Sequence, residues 1–139
     1  METSFVRLPA YPAIGDSAGE TTQSQHGVAI GALAGQTTQG EASVAIGKNA
    51  GKVNQGSSAI AIGNLAGVNN QHNNSIVIAA SGSELETTQT GQFIVKPIAS
   101  AVGATMLMYD ATSGQVTHTA TPLITGDLAV EEGFSFTPT

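Results

Sequence analysis

The residues best suited to chemistry are the three histidines, His26, His72 and His118. Imidazole titrates near neutrality and is a common metal ligand, so one histidine per chain gathered on a threefold axis would make a three-histidine site of the zinc type. His26 and His72 sit at different phases of the repeat described below, so they do not stack in one column. Surface turn positions are the simpler reading, and no metal or cofactor is expected. The carboxylates are scattered, with close pairs only at Glu84/Glu86 and Glu131/Glu132, both in polar segments where solvated charge is the default. No G-x-S-x-G nucleophile elbow occurs. Gly31 to Gly35 lacks the Lys-Ser/Thr pair of a phosphate loop. There are no cysteines for a disulfide framework or a thiolate metal site. No catalytic residue is assigned, and an enzyme is not expected.

The frame that must position these side chains is a repeat. Ile14, Ile30, Ile46, Ile62 and Ile78 recur every 16 residues. Gly15, Gly31, Gly47 and Gly63 follow four of them. An Ala-Gly pair comes next (Ala18-Gly19, Ala34-Gly35, Ala50-Gly51, Ala66-Gly67), and Gln23, Gln39, Gln55 and Gln71 close the units. Periodicity of this kind means supersecondary units that bury their faces only by stacking. Sixteen residues hold two short strands and two bends. Pro12 stands where the first unit should carry a β-branched residue, as suits an open sheet edge. The glutamines are either an amide ladder running up the stack or polar turn residues.

Side chains alternate across a strand. Val28 and Ile30 therefore face one way and Gly27, Ala29 and Gly31 the other, and the same holds for Val44/Ile46 and Ile60/Ile62. The small residues favour a narrow interior, which turns the large ones outward. A column of outward Val and Ile needs cover from other subunits. The expected shared core is Val28, Ile30, Val44, Ile46, Ile60, Ile62, Ile76 and Ile78, around a single axis, with three copies as the usual closure of such rods.

A net charge of −6, with Arg7, Lys48, Lys52 and Lys96 as the only basic residues, argues against a phosphate-tracking nucleic-acid binder. Met1 to Leu8 lacks a basic start followed by an apolar core, and no run of about 18 apolar residues exists, so neither a signal peptide nor membrane insertion is expected. The organisation read from the chain is an N-terminal arm at 1–12, a repeat β-roll at 13–82, a β-rich module at 83–119 and a C-terminal arm at 120–139. Within the module, Phe93 to Ile98 reads as a strand, and Met106 to Tyr109 and Val116 to Thr119 flank a Gly-containing hairpin turn.

The units Ser43-Val44-Ala45-Ile46-Gly47 and Ser58-Ala59-Ile60-Ala61-Ile62-Gly63 resemble the head repeats of bacterial trimeric autotransporter adhesins. The 16-residue unit with its Ala-Gly pair and following glutamine is closer to repeat-rich fibre and surface proteins of large DNA viruses and phages. Blocks similar to Asn74 to Gly82, Phe93 to Ile98 and Leu107 to Val116 follow the repeats there in the same order. The resemblance implies an all-β, left-handed parallel β-roll of 16-residue turns in a homotrimer, followed by a small β-hairpin module. It implies a structural virion fibre, spike or capsid-surface protein at the virion surface. Its partners would be its own copies, other virion proteins and a host cell-surface receptor. The alternative is the head fragment of an autotransporter adhesin at a bacterial cell surface, although that family's export signal, coiled-coil stalk and anchor have no counterpart in residues 1–139. The trimeric left-handed β-helix acyltransferases place a histidine between subunits, but their hexapeptides give 18-residue coils. An ice-binding threonine ladder fails because Asn54 and Asn70 take the phase of Thr22 and Thr38.

Overall fold

The computed structural model describes residues 12–98 and 106–119, and these are all-β, with no helix among them. Two compact units, Met1–Ile98 and Ala99–Thr139, divide the chain. The arms expected at 1–11 and 120–139 lie outside the described residues, as do 99–105.

In the first unit the first three coils each contribute one strand to each of two parallel sheets, and the later coils contribute strands to the first sheet alone. The first sheet contains β1 (Ala13–Ile14), β3 (Val28–Ile30), β5 (Val44–Ile46), β7 (Ile60–Ile62), β8 (Ile76–Ala79) and β9 (Phe93–Lys96), in that spatial order. The second contains β2 (Thr21–Gln23), β4 (Thr37–Gln39) and β6 (Val53–Gln55). The register is the repeat itself: Ala29 pairs with Ala45 and Ala45 with Ala61. Backbone N–H groups find carbonyls one coil away, as in Gly47 N to Ile30 O at 2.7 Å and Gly51 N to Ala66 O at 2.9 Å. Stacking thus satisfies donors that a single coil would leave open. The result is a β-solenoid of about five turns.

β9 extends this stack beyond the 13–82 boundary read from the sequence. It pairs in parallel with β8, Ile76 opposite Phe93 and Ile78 opposite Val95. The last coil carries one extra residue, which hides the strand from a search at fixed period.

The interior is thin. Ala29, Ala45 and Ala61 are fully buried, as are Ala34, Ala50 and Ala66 from the Ala-Gly pairs. The small residues line the inside and the Val/Ile alternation turns outward. Gln39, Gln55 and Gln71 are also buried. Each reaches across the coil to a carbonyl of the first sheet, Gln39 and Gln55 from the second sheet and Gln71 from the segment that follows it one coil on: Gln39 Nε2 to Val28 O (2.7 Å), Gln55 Nε2 to Val44 O (2.8 Å) and Gln71 Nε2 to Ile60 O (2.9 Å). Gln55 Nε2 also donates to Gln71 Oε1 at 3.2 Å. The glutamines are therefore cross-braces between the sheets, with one amide-to-amide link between coils. They also explain the Ala-Gly spacing: a Cβ on Gly51 would stand 2.6 Å from the Gln55 carboxamide carbon, at a φ of +51°.

The second sheet is interrupted at the middle residue of each strand. Only its outer residues pair, Thr21 with Thr37 and Gln23 with Gln39. The residue between is left-handed in every coil: Thr22 (φ 58°), Thr38 (56°), Asn54 (52°) and Asn70 (54°). Asparagine tolerates that region, and a β-branched residue such as Thr22 or Thr38 adopts it only with strain. Asn54 Nδ2 further donates to Asn70 Oδ1 at 3.0 Å. Thr38→Asn should therefore relieve strain and extend this outer amide link. The expected gain is about 1 kcal/mol, read as a higher urea midpoint at unchanged slope.

Side chains replace backbone where the second sheet ends. Val53 N donates to Val68 O and Gly56 N to Gln71 O. At the equivalent positions one coil on, Asn69 N donates to the Glu86 carboxylate (3.1 and 3.2 Å) and His72 N to Thr87 Oγ1 (2.8 Å). Burial raises the Glu86 carboxyl above its ordinary value of 4.5, the Asn69 N–H opposes that, and nearby Glu84 adds to it. A carboxyl whose folded pKa is raised binds its proton more tightly in the folded state. Its stabilising effect is complete below the unfolded pKa and is lost as pH rises through the folded one. Glu86→Gln keeps an acceptor for Asn69 N–H and removes the charge. It should melt higher than the parent at pH 7, and the two curves should converge below pH 4.5.

The second unit holds the expected hairpin, β10 (Met106–Asp110) antiparallel to β11 (Gln115–Thr119), with Tyr109 opposite Val116. Asp110 closes its turn: the carboxylate accepts from Thr112 N at 2.8 Å and from Ser113 Oγ at 2.8 Å. These bonds, the Thr112 N–H foremost, hold its carboxyl below the ordinary value.

Candidate association face

The eight residues expected to form a shared core all project from the outer face of the first sheet. Val28, Val44, Ile60 and Ile76 are register partners in one column; Ile30, Ile46, Ile62 and Ile78 form the other. The face exists because the strand alternation puts Ala29, Ala45 and Ala61 on the inside, where the two sheets stand close together. Ala29, Ala45 and Ala61 have no exposure, while Ile30 and Ile62 in the same strands keep 36% and 38%. No charged residue occupies any of the eight positions. Asp16, Lys48, Glu20 and Lys52 lie instead in the bends at either end of the Ala-Gly turns. Large apolar side chains thus line one continuous strip with water on it in the single chain, the reverse of a usual domain core.

Three more members of this strip escaped the sequence reading. Ile14 begins the second column at 64% exposure, and Phe93 (59%) and Val95 end the two columns. Ile94, between Phe93 and Val95, packs inward against the buried cluster. That alternation in Phe93-Ile94-Val95 is the signal that would have placed the strand in the stack.

The histidines do not come together into a site. His26 is exposed in a bend at a left-handed φ of 62°. The His72 ring lies in the equivalent bend three coils on, with Nδ1 2.9 Å from Thr87 Oγ1. His118 belongs to the other unit, in register with Leu107. Among the described residues no three His, Asp or Glu side chains are placed to hold a metal ion. The fold defines the class of protein as a parallel β-solenoid with one apolar outer face. Comparison of the chain with protein-family models, curated proteins and solved structures returns no match.

Proposed function

We propose that this chain is a structural, non-enzymatic subunit of a virion fibre or spike. Its coils, of left-handed sense, join two further copies along the Val/Ile face to make a stiff trimeric rod. The ends and polar bends of the rod meet other virion proteins and a host cell-surface receptor. The observation that supports this reading is the two-column apolar strip. A hydrophobic surface of this length and regularity gains free energy only when covered, and a repetitive face is most simply covered by the same face on identical copies about one axis. The viral assignment rests on the order of blocks after the repeats, Asn74 to Gly82, Phe93 to Ile98 and Leu107 to Val116.

The test is mass in solution. Three times the chain mass of 13.9 kDa is expected, and a mass of one chain would sink the proposal. Peptides of this chain in purified virions would support the viral origin. An export signal upstream in the same reading frame would replace it with the bacterial adhesin head.

A further inference from the structure

A repetitive face poses a problem of register, and this one carries its own solution. Between Val28 and Ile62 successive coils present nearly the same surface, so two copies could slide past one another by one coil, about 4.8 Å, and lose only the contacts of an end coil. The outer column is not uniform, however. Read upward it runs Pro12, Val28, Val44, Ile60, Ile76, Phe93, with side-chain size increasing to the top. The inner column widens with it, from Ala29, Ala45 and Ala61 to Val77 and Ile94. The last coil is thus larger at Phe93 on the outside and at Ile94 on the inside, while Val95 follows Ile78 in the other outward column, and Phe93 is 59% exposed in the single chain.

We propose that Phe93 sets the axial register of the assembly, so that identical copies associate in parallel with like coil beside like coil. This rests on the reading of the strip as a shared axis. In register, the rings meet one another at a single level where each coil already flares. A slip of one coil would drive a ring against the Ile76 level of a neighbour and leave a void at its own level. Overpacking and cavities in a close-packed contact are each costly. An antiparallel arrangement would set the Phe93 level against the narrow end near Pro12.

The chain has no cysteine, which leaves a clean background for disulfide trapping. Val44→Cys and Ile60→Cys chains, one carrying a mass tag, are refolded together and oxidised. Unlike levels in a registered assembly exceed the roughly 7 Å Cα limit of a disulfide once the coil offset adds to the separation across the axis. With Phe93 present, same-level 44–44 and 60–60 dimers are expected and the 44–60 dimer is not. In a Phe93→Val background the 44–60 dimer should appear. Mixed-level dimers with Phe93 present, or none in an assembled Phe93→Val protein, would overturn the inference. Should Phe93→Val fail to assemble, the double variant Ile76→Phe/Phe93→Ile decides. Refolded with chains that keep Phe93, it sets one partner's ring a level lower, so ring-to-ring alignment predicts the 44–60 dimer between a double-variant Val44→Cys chain and a Phe93-bearing Ile60→Cys chain, and same-level dimers alone overturn the inference. A single-chain mass for the parent protein would instead remove the assembly, a separate outcome read from the same samples.

Discussion

Ile46→Asp is expected to reduce the assembly to single chains or to unfold it. Ile46 sits in the middle strand of the apolar face, paired in register with Ile30 below and Ile62 above. In the proposed trimer the substitution places three carboxylates at one level of a dry axis. An unpaired charge held out of water costs several kcal/mol. At roughly 4–8 °C per kcal/mol for a domain of this size, the thermal midpoint should fall by about 10 °C or more. On a face bathed in water the same change would be worth within about 0.5 kcal/mol. Sedimentation and a thermal melt together decide: a variant that keeps the parent's mass and midpoint means that the strip faces solvent and that nothing covers it.

Gly47→Ala is the second large effect, and it acts inside each chain. Gly47 has φ +123°, outside the region open to L side chains, and a Cβ there would lie 2.7 Å from the Gly63 carbonyl carbon in the coil above. That neighbour is backbone, so the coils would have to separate where Gly63 N–H donates to Ile46 O at 2.8 Å. Strain and a broken ladder together should cost about 3–5 kcal/mol in urea unfolding. Gly82→Ala is the control. It too has a left-handed φ, +68°, but open space around it, so only the backbone cost of about 1 kcal/mol applies. Equal losses at the two positions would show that close approach between coils is not what the Gly15–Gly31–Gly47–Gly63 column provides.

The coil stack was legible because its causes are periodic. Val28/Ile30 against Ala29 gives both the strand and its faces, and the same triplet returns at 44–46 and 60–62. The glutamines were harder. Gln39 and Gln55 look like ordinary turn residues in a polar run, and their burial follows from an interior too thin to need a large apolar side chain, a property of two strands brought together across the coil. Phe93 was misplaced for a different reason: one inserted residue broke the period while the hydrogen-bonded register continued. The left-handed turn at Thr22 and Thr38 was hidden because threonine is a good strand residue, and only Asn54 and Asn70 at the same phase hint at a left-handed backbone. Glu86 and Thr87 showed nothing in sequence, since a side chain standing in for a missing carbonyl depends on where the preceding coil happens to end.

The cross-coil hydrogen bonds have one more consequence. Because each donor meets an acceptor in an adjacent coil and the same pairing returns every 16 residues, as in Gly31 N to Ile14 O and then Gly47 N to Ile30 O, inserting or deleting a whole 16-residue cassette leaves the remaining pairings of the repeat unchanged. Height can then vary only in whole steps of about 4.8 Å, while the Pro12 end and the Glu86–Thr87 cap stay as they are. Such a gene could lengthen or shorten its product by unequal recombination without redesigning either terminus, and the copy number of the cassette would act as a molecular ruler.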